Sequence, residues 1–149
     1  MGALIRKGTV DDIDGLARLI AQLFAIETDF NIDERKIRTG LRMLIGSDSS
    51  VAYVAVDGNE IVGMVTGQLI VSTAAGGYSI LLEDMYIRKD HRRSGIGSML
   101  ISFLESWGKS RGCVRMQLVA DKTNIGAHVF YAENGFSESR MAGMYKQLG

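Results

Sequence analysis

The stretch Leu82-Glu-Asp-Met-Tyr-Ile-Arg-Lys-Asp-His-Arg-Arg-Ser-Gly-Ile-Gly-Ser-Met-Leu100 decides how the rest of the chain is read. Its first part, from Leu81 to Ile87, has the apolar content of a strand, interrupted by the acids Glu83 and Asp84. A basic turn follows, Arg88 to Arg93, with four cationic side chains against the single acid Asp90. Beyond Gly95-Ile-Gly97, the residues Ile96, Met99, Leu100, Phe103, Leu104 and Trp107 recur at the spacing of one helix face. A glycine turn that opens a helix leaves backbone N–H groups without intrahelical acceptors, and the aligned peptide dipoles add partial positive charge there. Glycine lets a ligand approach the backbone closely, and Arg92 and Arg93 add full charges. The stretch reads as an anion site suited to a phosphate or pyrophosphate.

Spacing separates the phosphate-binding motifs. A dinucleotide fingerprint needs Gly or Ala three residues after Gly97, where Leu100 stands, and a P-loop needs Lys-Ser/Thr where Ser98-Met99 stands. Arg92-x-x-Gly95-x-Gly97 instead resembles the acetyl-CoA signature (Arg/Gln-x-x-Gly-x-Gly/Ala) of the GNAT N-acetyltransferases. Asn124-x-x-Ala127-x-x-Phe130-Tyr131-x-x-Asn134-Gly135-Phe136 resembles the second signature of that family. With the N-terminal strand and two helices, the two segments cover nearly the whole chain in the family's order. There is one departure. Where the family often has proline, two residues after the strand, this chain has Lys89, which adds charge and removes no N–H donor.

Composition bounds the alternatives. The chain has 149 residues, 46% of them hydrophobic, which predicts a single domain spanning 1–149. No apolar run approaches the ~18 residues of a membrane span. The start of the chain lacks a signal-peptide pattern, and Arg6 stands where a myristoylation motif wants Ser or Thr. Lys plus Arg equal Asp plus Glu, 17 each, so no basic excess points to nucleic acid. The lone Cys113 excludes an internal disulfide and suits a reducing compartment, so a cytoplasmic protein is expected. Cys113 also lies outside both motifs and reads as a small buried hydrophobe. His91 and His128 sit in different motifs with no further ligand at metal spacing, and no metal is expected.

In chain order, the pattern predicts a strand at Leu4 to Arg6, a capping-box start at Thr9-Val-Asp-Asp12, and a helix over 10–25. The connector Glu27-Thr-Asp-Phe-Asn-Ile-Asp-Glu34 carries four acids and no base. Asp33 caps a second helix that ends at Gly46. Strands are expected over Val51 to Val56, Glu60 to Val71 and Tyr78 to Ile87, with the hairpin turn Asp57-Gly-Asn59 between the first two. Gly63 and Gly67 point to bulges or close backbone contact. A third helix closes near Gly112, and a fifth strand runs Val114 to Ala120. A short helix from Asn124 to Gly135 follows, then two strands at about 137–139 and 142–148. The fold class is α/β (α+β): a GNAT-type mixed, mostly antiparallel central sheet with helices on both faces.

The resemblance implies an acetyl-CoA-dependent N-acetyltransferase working by direct attack in a ternary complex. It implies that the N–H groups of Arg93, Ser94, Gly95, Ile96, Gly97 and Ser98 hold the pyrophosphate, with Arg92 and Arg93 as counter-charges. Main-chain groups of Met85, Tyr86 and Ile87 would meet the pantetheine arm, as would Asn124 and Phe130. Asn124 has helix capping as a compatible role. Tyr131 would serve the leaving thiolate, a phenol near a thioester being suited to that step; otherwise it is a core aromatic. Glu83 would be the general base that removes the ammonium proton, or a cation-binding group only. Strand alternation aims one of Glu83 and Asp84 at the site.

The acceptor expected is a small cationic amine. Glu83, Asp84, Glu27 and Asp29 would attract it, and the Glu83 strand resembles the diamine (spermidine/spermine) branch. Amino acids, aminoglycosides and protein N-termini stay open as acceptors. So does a non-catalytic acyl-CoA-binding module on the same fold. The resemblance also implies a homodimer.

Overall fold

Two near-continuous apolar runs, Val51–Val56 and Ile61–Val65, and a two-residue turn between them account for the first hairpin of the sheet. In the computed structural model, which describes residues 2–26 and 31–149, β1 (Leu4–Lys7), β2 (Ser50–Asp57), β3 (Glu60–Ser72), β4 (Gly77–Ile87) and β5 (Met116–Gln117) form one sheet in that order. The first four strands pair antiparallel, and β5 joins β4 in parallel. Gly58, at φ 62°, makes the tight connection from β2 to β3 without a Cβ penalty. The chain divides into two compact units, Met1–Gln117 and Leu118–Gly149. The first unit holds the sheet with α1 (Ile13–Ile26), α2 (Glu34–Ile45) and α3 (Ile96–Lys109); the second holds α4 (Ile125–Glu133).

Alternation along the strands feeds two cores. Ala52, Val54, Met64 and Tyr86 pack with Ile13, Leu16, Leu19 and Ile20 of α1 and Ile37 and Leu41 of α2. The other parity faces α3. A Cβ placed on Gly67 would come within 2.5 Å of Leu104 Cδ1, and one on Gly63 within 3.2 Å of Ile96 Cγ2. Glycine at these two positions is what lets α3 lie against the sheet. Leu100 and Leu104 are fully buried there, each burial stabilising by about 1.5–3 kcal/mol. Helices therefore cover both faces of a mixed, mostly antiparallel sheet, as the sequence predicts.

The entry to α1 carries an ion pair that the spacing alone does not show. Asp12 accepts from Thr9 N–H at 2.8 Å and from both guanidinium nitrogens of Arg6 at 2.7 and 2.9 Å. The Arg6 hydrogen bonds hold the Asp12 carboxyl below its usual range, against the opposing effect of burial. A carboxyl depressed in the folded state contributes its stability above the unfolded value, ~3.9, and loses it as pH falls through the lower folded value. Asp12→Asn is expected to lower unfolding free energy at neutral pH by about 1.5–3 kcal/mol, with the difference from wild type closing below about pH 4. Urea titrations at several pH values check this.

Three elements differ from the sequence expectation. The first turn of the first helix is a 3₁₀ turn, Val10–Asp12, closed by the Asp12 N–H to Thr9 C=O bond. The fifth strand is Met116–Gln117 and not 114–120, because only Ile80 and Leu81 of β4 offer it partners, and Val114 is 82% exposed. No strand forms over 137–148 among the described residues. Ser137-Glu-Ser139 has no apolar residue to pack. Met141, Met144, Tyr145 and Leu148 recur at three- and four-residue steps, so they do not share one face of a strand, and all are exposed. No helix among the described residues is long and apolar enough to cross a membrane.

In the second unit, Asn124 caps α4 by accepting from Ala127 N–H at 3.0 Å. Gly135, at φ 88°, lets Phe136 N–H reach back to Tyr131 C=O at 3.0 Å and close the helix end.

Candidate active site

The glycine turn has the backbone that the anion reading requires. Gly95 caps α3 at φ 83° and ψ 0°, and the first helical bond is Met99 N–H to Gly95 C=O at 3.1 Å. The N–H groups of Ile96, Gly97 and Ser98 precede that bond and have no backbone acceptor among the described residues. Arg93 at φ 61° is the one non-glycine residue with positive φ among the described residues. Its left-handed backbone, two residues before that of Gly95, is the strained kind of turn that makes an anion-binding concavity.

The charges around the turn are less free than the sequence shows. Arg88 donates to Asp90 at 2.7 and 3.0 Å and to Glu60 at 3.0 Å. His91 lies between two carboxylates, with Nδ1 2.8 Å from Asp90 and Nε2 2.7 Å from Asp57. The bond to Asp57, followed by that to Asp90, pushes the His91 imidazole above its ordinary value. Arg88, and then His91, hold the Asp90 carboxyl well below the usual range. This network pins the turn to the β2–β3 hairpin. Its acids Asp57 and Glu60 come from a part of the chain that a local charge count does not include. Arg92 donates through Nε to Ile87 C=O at 2.9 Å and stacks over the Tyr86 ring at 5.3 Å. Lys89 and Arg93 make no ion pair among the described residues and stand exposed.

The strand leading into the turn has an open edge. β5 pairs with β4 only at Ile80 and Leu81, so from Leu82 to Ile87 that edge has no ladder partner among the described residues. Arg88 N–H points the other way, to Val62 C=O at 2.8 Å. Antiparallel alternation then directs the main chain of Met85 and Ile87 to the open edge and that of Tyr86 to β3. The Tyr86 ring is buried in the core against α1 and α2. The open edge belongs to Met85 and Ile87.

A bulge sits where the edge opens. Val65 pairs with Met85 and Gly67 with Leu82, so Glu83 and Asp84 together oppose Thr66. The alternation expected to choose between the two acids is suspended there. Asp84 N–H donates to Thr66 Oγ1 at 3.0 Å, and that hydroxyl donates to Asp84 Oδ2 at 3.0 Å. Glu83 is exposed and makes no hydrogen bond among the described residues. Thr66 escaped the sequence reading; its one signal is a hydroxyl directly after the apolar run Ile61–Val65. Near this region Gln22, Ala25 and Ile26 of α1 line a groove of about 440 Å³ with Tyr86, Arg88, Lys89 and Asp90. Glu27 and Asp29 lie outside the described residues.

Within the second unit, Tyr131 packs edge-on between Phe130 at 5.4 Å and Phe136 at 5.5 Å. Burial raises its phenol above the usual value, so it stays protonated at physiological pH. Asn124 spends its side-chain oxygen on the α4 cap. Cys113 is buried, and burial raises its thiol as well. Among the described residues no group of three His, Cys, Asp or Glu side chains is placed to hold a metal ion.

Comparison with known proteins gives a family match to "Acetyltransferase (GNAT) family" over residues 19–136. An aminoglycoside N(6')-acetyltransferase type 1 of Acinetobacter genomosp. 13 is 28% identical over 107 residues, covering 72% of this chain and 69% of that protein. Streptothricin acetyltransferase A of Bacillus subtilis (strain 168) is 27% identical over 109 residues, covering 70% of this chain and 62% of that protein. The chain thus spans about two thirds of the length of these relatives. Among solved structures, AAC(6')-Iy in complex with the bisubstrate analogue CoA-S-monomethyl-acetylneamine matches with a TM-score of 0.86 at 16% identity, covering 100% of both chains. At that identity the likeness concerns the fold.

Proposed function

The chain belongs to the acetyltransferase (GNAT) family, and from that premise we propose that it moves the acetyl group of acetyl-CoA to a primary amine of a small polycationic acceptor. The observation that carries this reading is the open edge of β4, which runs from the Glu83-Asp84 bulge to the glycine turn before α3. It supplies three things in a row: carboxylates for a cation, main-chain groups for an extended amide-bearing arm, and N–H groups for a pyrophosphate. In this reading residues 1–149 act as one domain.

Acetyl-CoA supplies a thioester carbonyl open to aminolysis. The N–H groups of Ile96, Gly97 and Ser98 would hold its pyrophosphate, with Arg93, Lys89 and the remaining nitrogens of Arg92 as counter-charges. Met85 and Ile87 would present main-chain donors and acceptors to its amides. Glu83 takes the proton that the acceptor ammonium must lose before its nitrogen can attack. Tyr131 donates a proton to the departing sulfur, for which its burial-raised phenol is in the right protonation state. Cys113, a buried thiol, takes no part, so no acyl-enzyme forms.

Relatives named for aminoglycoside and streptothricin acetylation support an acceptor of that polycationic kind. The diamine expectation draws no support from them. The carboxylate pair at the bulge suits either class through the same charge complementarity. Two linked measurements test the reading. Acetyl-CoA at ~100 times Kd should stabilise the protein by about 2.7 kcal/mol, or roughly 5–10 °C in melting temperature, while ATP and NADH leave it unchanged. Thiol release should then follow addition of sisomicin or streptothricin, with spermidine as the diamine-class control. An absence of stabilisation by acetyl-CoA would remove the cofactor assignment and the catalytic roles that depend on it.

A further inference from the structure

Both ring nitrogens of His91 face a carboxylate, Nδ1 at 2.8 Å from Asp90 and Nε2 at 2.7 Å from Asp57. A carboxylate only accepts, so both contacts are hydrogen bonds only when the ring carries both protons. Neutral imidazole has one N–H and turns a lone pair toward the other acid. Among the described residues, the charged groups facing the ring are Asp90 and Arg88 from the turn and Asp57 from the β2–β3 hairpin. Glu60 acts on it through Arg88, and Lys89, Arg92 and Arg93 are its basic neighbours in the chain. The ring is joined to the glycine turn through its own main chain. Ser94 Oγ donates to His91 C=O at 2.5 Å, one residue before the Gly95 cap. Between them Arg93 holds φ 61°, a backbone that a non-glycine residue keeps only where its surroundings over-determine it. Asp57 thus fixes, through His91, the residue from which the turn departs.

We propose that His91 is a positioning residue for acetyl-CoA: as an imidazolium bridging Asp57 and Asp90 it holds the glycine turn in its anion-binding form, and loss of one ring proton loosens the turn and weakens cofactor binding. The inference deepens the function proposed above and rests on it. The bond to Asp57, then that to Asp90, raises the ring above its ordinary ~6.5, against burial and the charge of Arg88. For a value raised in the folded state, the bridge is complete below about pH 6.5 and is lost as pH rises through the folded value. Acetyl-CoA affinity therefore falls toward the alkaline side. The release is partial, because the bond from Arg88 to Glu60 still ties the turn to β3. The coupling is accordingly about fivefold, at the low end of ordinary couplings between two sites.

The test is a pH series from about 5.5 to about 9 on wild type, His91→Gln and Asp57→Asn, with melting temperatures verifying that each is folded. Histidine-selective NMR follows the ring; the chain has 2 histidines, and the signal lost in His91→Gln identifies this one. Isothermal titration gives the acetyl-CoA Kd at each pH. In wild type His91 should titrate above ~6.5, and Kd should rise about fivefold through that midpoint. Saturating acetyl-CoA should raise the midpoint by about 0.7, the same fivefold coupling read from the other side. His91→Gln should abolish the step, leaving only the pH dependence of the ligand's own phosphates. Asp57→Asn, which keeps an acceptor and removes the charge, should bring the midpoint and the Kd step down in pH together. A wild-type Kd that stays level through the His91 midpoint overturns this inference alone. So does a step that survives in His91→Gln, or a midpoint at or below ~6.5. No acetyl-CoA binding at any pH overturns the parent reading and this inference with it.

Discussion

Ser98→Asp is expected to weaken acetyl-CoA binding about a hundredfold while leaving the melting temperature equal to or above that of wild type. The two effects have opposite signs for one electrostatic reason. Ser98 is exposed in the first turn of α3, where the N–H groups of Ile96, Gly97 and Ser98 lack backbone acceptors among the described residues. A carboxylate placed there interacts favourably with the helix dipole, typically by about 0.3–1 kcal/mol. The same charge at ~4 Å from a pyrophosphate repels it by about 1–4 kcal/mol between water-like and surface-like dielectrics, and 1.4 kcal/mol is a factor of ten. Ser98→Ala, which keeps the N–H and adds no charge, should bind almost as wild type does. Isothermal titration with acetyl-CoA, at two salt concentrations, reads the effect. A Ser98→Asp protein that binds within threefold of wild type would show that the anion lies elsewhere.

Tyr131→Phe should reduce kcat by roughly a hundredfold or more, with acetyl-CoA affinity and melting temperature close to wild type. The separation is possible because the ring and the hydroxyl do different work. The ring packs edge-on against Phe130 and Phe136, contacts that phenylalanine keeps. In the proposed mechanism the hydroxyl supplies the proton. Burial raises the phenol above its ordinary value near 10, so the acid form persists through that pH and the alkaline loss of kcat due to Tyr131 should lie above it. Stopped-flow thiol release across pH 6 to about 10.5 reads both points. Unchanged turnover in the phenylalanine variant would leave Tyr131 as a packing residue.

The difference between the two predictions reflects what a local motif encodes. Arg92-x-x-Gly95-x-Gly97 was legible because a left-handed cap and a helix start are set within a few residues, and Gly95 adopts the φ that the spacing demands. Asn124 was legible as a cap for the same reason, since its partner Ala127 is three residues away. The apolar spacing of Ile13, Leu16, Ile20 and Leu23 over 10–25, and of Ile37, Leu41, Leu44 and Ile45, likewise marked α1 and α2. That the two strands expected over 137–148 would not form was not legible. A strand needs a partner ladder, and nothing in 137–148 states whether a neighbour will be there.

By itself, then, the amino-acid sequence determined the family, the helix faces, the hairpin turn at Gly58 and the left-handed glycine turn that opens α3. Each depends on periodicity or on backbone preferences acting over fewer than about ten residues. Only the tertiary structure decided which charges remain available and which acid is held. Arg88 and His91 look like free cations in the sequence, yet Glu60 and Asp57 reach them across the sheet. Glu83 and Asp84 look like alternating neighbours, yet one extra residue in the β3–β4 register sets both against Thr66, and Thr66 grips only Asp84 with these bonds. Register and long-range charge pairing arise from strands packed side by side, so they become visible only once the sheet is assembled.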